Sequence, residues 1–292
     1  TSRAARTRYA DVPEGFLPPG FLALDLASAL NMPAFDPEAG NAPVTTGAHP
    51  SRGNALLGAD PSHPDIVVAA NGGSDLLYLP GRDPTLARRI VTALLDQDYI
   101  SGIFVDDRLG SIAGTLPLSS INLKGAALPP VPSIVVIFRS ATTGCAIPTN
   151  CQVEVADTTL QQGQGMHGSF GRGDTLNFTA AIGPDFKRRF VDPAPVSNAD
   201  IGHTMMALLR LSPTPHGALT GRVLSEAMPG GRMTPYVRGE QRSAAAGNGL
   251  VTLLRYQEAA GIRYLDAGGF AGRTLGLADV AAPEAAGRGA RR

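Results

Sequence analysis

The stretch DIVVAANGGSDLLYL (Asp65–Leu79) decides how the rest of the chain is read. Asp65–Ala70 is a β-branched apolar run behind His63-Pro64, and it stops at Asn71-Gly72-Gly73. Such a run, closed by glycine and asparagine, reads as a buried strand ending in a tight turn, with Leu76–Leu79 as its hairpin partner. Downstream, Asp83 and Pro84 supply a cap and a first-turn proline for a helix to about Gln97, with Leu86, Ile90, Ala93 and Leu94 on one face. ISGIFVDD (Ile100–Asp107), PSIVVIFRS (Pro132–Ser140) and CQVEVADT (Cys151–Thr158) read as further strands. Upstream, Thr1–Pro64 is dominated by turn clusters, with one amphipathic helix at Phe21–Leu30.

Beyond these, Asn177–Ile182 reads as a short apolar strand, and Ser197–Leu211 as a capped helix with Ile201, Met205, Leu208 and Leu209 inward. A second helix is expected near Ala218–Ala227, then strands at LVTLLRY (Leu250–Tyr256) and IRYLD (Ile262–Asp266). Strands alternating with helices predict an α/β fold with a mainly parallel sheet. No internal repeat is visible. We therefore expect one domain over residues 1–280, followed by a disordered Gly/Ala/Arg-rich tail at 281–292.

The chain has 292 residues with 25 Lys+Arg against 25 Asp+Glu, so no basic surplus marks it for nucleic acid or an anionic membrane surface. Apolar runs such as Ile134–Phe138 fall far short of the roughly 20 residues of a membrane helix. No signal-peptide apolar region follows Thr1, and the Thr start suggests a processed or truncated N-terminus. Cys145 and Cys151 enclose AIPTN, a loop able to turn back on itself. The spacing suits a disulfide in an oxidising compartment; two unpaired buried thiols are the alternative.

Five histidines are present. His49 and His63 precede prolines and read as exposed turn residues; His216 lies in a Pro-His-Gly turn; His203 reads as a helix-surface partner of Asp200. His167 differs, because it stands among five glycines in Gly163–Gly173. Glycines on both sides let the backbone approach closely and leave an imidazole free to bind a metal or carry a proton. A plain turn is the competing reading. Asp75, Asp106 and Asp107 read as turn or cap residues, and no phosphate-binding loop, dinucleotide fingerprint or nucleophile elbow is present.

MHGSFGRGDTLNFTAAIGPDFK (Met166–Lys187) followed by VSNADIGHTMMALL (Val196–Leu209) resembles the C-terminal metal-ligand region of the alkaline phosphatase superfamily. It is most similar to the bacterial type I phosphodiesterase/nucleotide pyrophosphatase-like branch. The likeness is strongest over Gly165–Leu211 and extends to PDIVVAANGGSDLLYLPG, SGIFVDD and GTLPLSSINL. The resemblance implies a three-layer α/β/α sandwich and two divalent metals, zinc in most branches. A Ser or Thr nucleophile would form a phospho-enzyme, which metal-activated water then cleaves. His167 would be the last ligand of one zinc.

The nucleophile, the earlier ligands and the Asp-His-Gly motif would lie upstream, since no Asp-His pair occurs in the chain. By this resemblance the chain is the C-terminal portion of a phosphoester hydrolase, inactive alone, acting in full length on a small phosphorylated substrate. Candidate substrate loops are Asn71–Asp75 and Arg172–Asp174. The export implied by the family agrees with a Cys145–Cys151 disulfide, pointing to a periplasmic or secreted protein. The competing readings are a non-catalytic secreted binding domain that keeps the family frame, and a sulfatase- or mutase-type member of the superfamily.

Overall fold

The computed structural model describes residues 2–123, 130–160, 163–212, 214, 217 and 219–277. The expected tail at 281–292, the His216 turn and the expected start of a helix at Ala218 lie outside the described residues. The chain divides into two compact units. One comprises Thr1–Asp174, Arg242–Leu253 and Ala267–Arg292, and the other Thr175–Gln241 and Leu254–Asp266.

The first unit is built on one mixed sheet. In chain order it holds α1 (Phe21–Leu30), β1 (Ala34–Asp36), β2 (Ala42–Pro43), β3 (Ala55–Leu57), β4 (Ile66–Ala70) and β5 (Ser74–Tyr78). There follow α2 (Pro84–Leu95), β6 (Ile100–Val105), β7 (Leu116–Pro117) and β8 (Ile134–Phe138). The sheet order is β2-β1-β3-β4-β5-β8-β6-β7. All its pairings are antiparallel except β6 with β7.

The fold is thus mixed α/β as expected, but the sheet is mainly antiparallel, not mainly parallel. The hairpin shows why. β4 and β5 pair from Val67↔Tyr78 to Ala70↔Asp75 across the Asn71-Gly72-Gly73 turn, which is too short for the crossover a parallel pair requires. The helix–strand alternation read as a parallel signal is real but local. α2 carries the chain from β5 to β6, which point the same way because each is antiparallel to β8 between them.

Local chemistry sets these elements. Asp83 accepts the Thr85 N–H at 2.7 Å and Pro84 occupies the first turn of α2, whose Leu86, Ala87, Ile90, Val91 and Leu94 are buried. α1 packs against α2 and on the sheet. Between helices and strands, Phe21 lies 4.9 Å from Tyr99 and 5.0 Å from Phe138, ring centre to ring centre. Around this aromatic group Leu22, Leu26, Leu57, Ile66, Leu77 and Ile90 are fully buried, the apolar burial that dominates folding free energy.

Still in chain order, β9 (Ser140–Thr142) and β10 (Gln152–Glu154) form an antiparallel ribbon, and Cys145 and Cys151 between them are disulfide-bonded. A single helical turn, α3, covers Arg172–Thr175. α4 (Asn198–Leu208) follows, and β11 (Tyr236–Arg242), β12 (Thr252–Ala259) and β13 (Ile262–Phe270) make a three-stranded sheet in that order.

In the second unit Ser197 starts α4, where the sequence predicts a capped helix, and its backbone N–H donates to Asp200 at 2.8 Å. Its expected apolar face is not inward: Ile201, Met205 and Leu209 are exposed, while Asp200 and Thr204 are buried. Polar demand explains this. Asp200 also accepts the Arg222 N–H at 2.8 Å, and Thr204 accepts the Leu224 N–H at 3.0 Å, so α4 turns its hydrogen-bonding face to the 222–224 backbone. Among the described residues, Asn177–Ile182 forms no strand and has no ladder partner, and residues 219–227 hold a 3-10 turn at Ser225–Ala227 in place of the expected helix.

Candidate functional site

The first unit contains a cleft of about 420 Å³. The β4–β5 turn contributes Asn71 and Gly72, the 163–171 loop Met166 and His167, and the run after β10 Asp157 and Thr158. Loop and turn are fastened backbone to backbone: Gly73 N–H donates to His167 O at 3.1 Å. The close approach needs glycine from both sides. Gly72 has φ +76° and a Cβ there would lie 2.9 Å from His167 O, while Gly168 has φ +107° and its Cβ would meet Asn71 O at 2.7 Å. Of the two glycines flanking His167, Gly168 has this structural task, whereas a Cβ on Gly165 would meet nothing within 4 Å.

The other end of the loop is anchored by carboxylate and amide. Asp174 accepts Ser169 N–H at 3.0 Å and Gln152 Nε2–H at 3.1 Å, and Gln152 accepts Gly173 N–H at 2.9 Å. Arg172–Asp174, expected to line a substrate cleft, thus holds the loop in place and is absent from the cleft lining, whereas Asn71 and Gly72 of the other candidate loop do line it. Within that loop Asp75 is fully buried beneath the cleft.

His167 itself is exposed, and its ring has no hydrogen-bond partner among the described residues. Among the described residues no group of three or more His, Cys, Asp or Glu is arranged to hold a metal ion. The donors in this chain do not by themselves fit the two-metal centre that the resemblance implies. His203 makes no pair with Asp200, and its Nε2 is buried with no hydrogen-bond partner among the described residues. His63 is exposed and paired with Asp60 at 2.9 Å, but His49 is half-buried, edge-on to Tyr9 and 3.1 Å from Asp11. A turn histidine became a packing residue because the loop folds back over Tyr9.

The cleft's charged groups include Arg52, which makes no ion pair among the described residues, and Glu38, which accepts the Asn54 amide at 2.6 Å. The element that sequence reasoning missed is Asp157, which reaches the cleft with only 2% of its surface exposed. Its partners, Gly20 and Asp75, lie far off in sequence, so no local pattern marks it. Burial holds the Asp75 carboxyl well above the usual carboxylate range, with the Asp157 charge adding to it. Burial also lifts Asp157 to about 7, against the lowering effect of the Gly20 N–H and of Asp75. Burial likewise raises Glu154, behind the His167 loop. Among the described residues the arrangement offers a ligand the Arg52 guanidinium, several amide and hydroxyl groups and an unshielded imidazole. Comparison with family models, with curated proteins and with solved structures found no match.

Proposed function

We propose that this chain forms the C-terminal part of a metal-dependent phosphoester hydrolase of the alkaline phosphatase superfamily, in its phosphodiesterase/nucleotide pyrophosphatase-like branch. On this reading upstream sequence supplies the nucleophile and most metal ligands, and completes a three-layer α/β/α domain around the mixed sheet. The observation that carries the reading is the presentation of His167. Two glycine-dependent close approaches fix its loop against the β4–β5 turn while its ring stays unspent at a polar cleft. A metal binds through a ring nitrogen that no hydrogen bond occupies, and the fixed backbone sets where that nitrogen can reach. A small phosphorylated substrate suits Arg52 and the amide-rich lining. The disulfide and the lack, among the described residues, of a helix long and apolar enough to cross a membrane are compatible with a periplasmic or secreted protein.

The test is to read the coding sequence upstream of Thr1, in frame, and to express the extended protein. Hydrolysis of p-nitrophenyl phosphate or its bis-ester, dependent on added zinc, is expected from the extended protein and not from the present chain. His167→Ala should remove bound zinc and lower activity by at least about 100-fold, as loss of a direct ligand exceeds the loss of its supporting partners. An upstream frame without an Asp-His-Gly strand, or a His167→Ala protein with full zinc and activity, overturns the proposal and leaves the binding-domain reading.

A further inference from the structure

Beneath the cleft lie two carboxyls that the hydrolase reading does not use. Asp75 on β5 is 0% exposed and Asp157 is 2% exposed. Asp157 Oδ1 accepts the Gly20 N–H at 2.7 Å. Gly20 is the N-cap residue of α1 and offers no side-chain cap of its own, so Asp157 places a carboxylate from afar at the positive end of that helix. The Asp157 backbone N–H donates to Gly72 O at 2.8 Å, tying the same residue to the turn that lines the cleft. Asp75 Oδ2 and Asp157 Oδ2 are both buried and receive no N–H or O–H from any other described group.

Asp75 stands opposite Ala70 across the β4–β5 turn, and a Cβ on Gly53 would meet both the Ala70 Cβ at 2.7 Å and Asp157 Oδ1 at 2.8 Å, so the two buried carboxyls lie beside the same residue. Two carboxyl oxygens brought together there can hydrogen-bond one another only if one carries a proton. Asp157 accepts the Gly20 N–H at 2.7 Å at a helix start, whereas Asp75 Oδ1 is reached only by the Asn71 N–H at 3.4 Å, so the anion is favoured on Asp157 and the proton on Asp75. We propose that Asp75 and Asp157 form a proton-sharing clasp that joins the start of α1 to the turn lining the cleft, closed while the pair keeps at least one proton and loosened when it keeps none. Two negative charges in a site closed to water repel strongly, and neither has another cation bonded to it.

The charged and titratable surroundings are few. His49, whose charge acts on Asp157, is already engaged with Asp11 at 3.1 Å and with Pro50 O at 2.8 Å. On the α1 side Asp25 accepts the Tyr99 hydroxyl at 3.0 Å, and burial together with Asp25 keeps that phenol protonated far above its ordinary range. On the cleft side stand Arg52, Glu38 and His167. The sign follows from the raised affinity for protons. Stability from the clasp is fully present below about pH 4, where the unfolded carboxyls also hold protons. It declines as pH rises through about 7 for Asp157 and falls further as Asp75 ionises above that.

Amide hydrogen exchange at Gly20, followed from about pH 7 upward in the native chain, tests this. Beyond ordinary base catalysis, the open population should grow by up to about tenfold per pH unit, the slope of one released proton. Asp75→Asn keeps a donor toward Asp157 but cannot ionise, so this extra slope should vanish. An Asp75→Asn protein with the native slope overturns the proposal. Should that variant not fold, the carboxyl ¹³C shifts of the native chain decide alone. A protonated Asp75 signal persisting at about pH 6 is expected, and ionised signals from both residues there refute the clasp.

Discussion

Residues 1–174 and the segments 175–241 and 254–266 differ in the balance of apolar and polar side chains that they bury. In the first, Phe21, Phe104 and Phe138 are fully buried with the leucines and isoleucines of α1, α2 and the sheet. In the second, Asp200 and Glu226 are fully buried, whereas Phe178 is 90% and Ile182 100% exposed. There Arg222 ion-pairs with Glu226 at 2.5 Å, bonds the Tyr264 hydroxyl at 3.0 Å and donates to Pro195 O at 3.0 Å. One region is thus held by apolar area, which is non-directional and tolerant of small shifts. The other hangs on a few directional contacts, where losing one partner strands the rest.

The comparison is broken most severely at Phe138, which packs on Phe21 and Tyr99 with ring centres 5.0 and 6.1 Å away. Phe138→Ala should cost about 3–5 kcal/mol, read from urea unfolding, because the cavity lies between sheet and helices that cannot both collapse into it. Next comes Arg222→Ala, expected at about 3 kcal/mol, since it leaves Glu226 buried with its charge unmatched. Limited proteolysis tells the two apart: Arg222→Ala should open cleavage sites within 175–241 first, and Phe138→Ala within 1–174. Replacing both Arg222 and Glu226 by Met should recover much of the loss, because no orphan charge remains.

These contrasts also explain what the sequence could show. β4, β5, α1, α2 and β8 are legible in it because each encodes its own burial by periodicity, and because Asp83-Pro84 and Asn71-Gly72-Gly73 are local signals for a cap and a turn. Strand direction was not legible: β8 inserts between β5 and β6 from far along the chain, and alternation of element types does not reveal that insertion. In α4 the cap was legible but the inward face was not, since Ile201 and Met205 repeat at helical spacing while the buried partners of Asp200 and Thr204 lie at 222 and 224. His167 stood out through its glycines. Asp157 did not, because its partners, at residues 20 and 75, are set by the fold alone.

A smaller effect sharpens the contrast inside the first unit. Cys151→Ser opens the loop that joins β9 to β10. A loop this short removes little freedom from the unfolded chain, so the expected loss is about 2 kcal/mol at most, with β4, β5 and β8 unaffected by hydrogen exchange. A mass shift on thiol alkylation under denaturing conditions, before and after reduction, checks that the native pair is oxidised.

The smallest expected change tests the second unit most directly. Leu176–Ile182 has the apolar composition of a strand, but its side chains meet water and it has no ladder partner among the described residues. Exchanging Phe178 or Ile182 for Ser removes area that is exposed before and after unfolding, so stability should move by no more than about 0.5 kcal/mol. The same exchange at Ile134, which is 0% exposed on β8, should cost several times that, through lost transfer energy, a cavity and a buried hydroxyl. Sedimentation should show less self-association for the Phe178 and Ile182 variants, because single apolar side chains on an unpaired, β-prone run invite edge-to-edge contact. A loss of 2 kcal/mol or more at Ile182, measured by urea unfolding, would mean that this run is covered in solution. The division between an apolar and a polar unit would then fail at the residue where it is drawn most sharply.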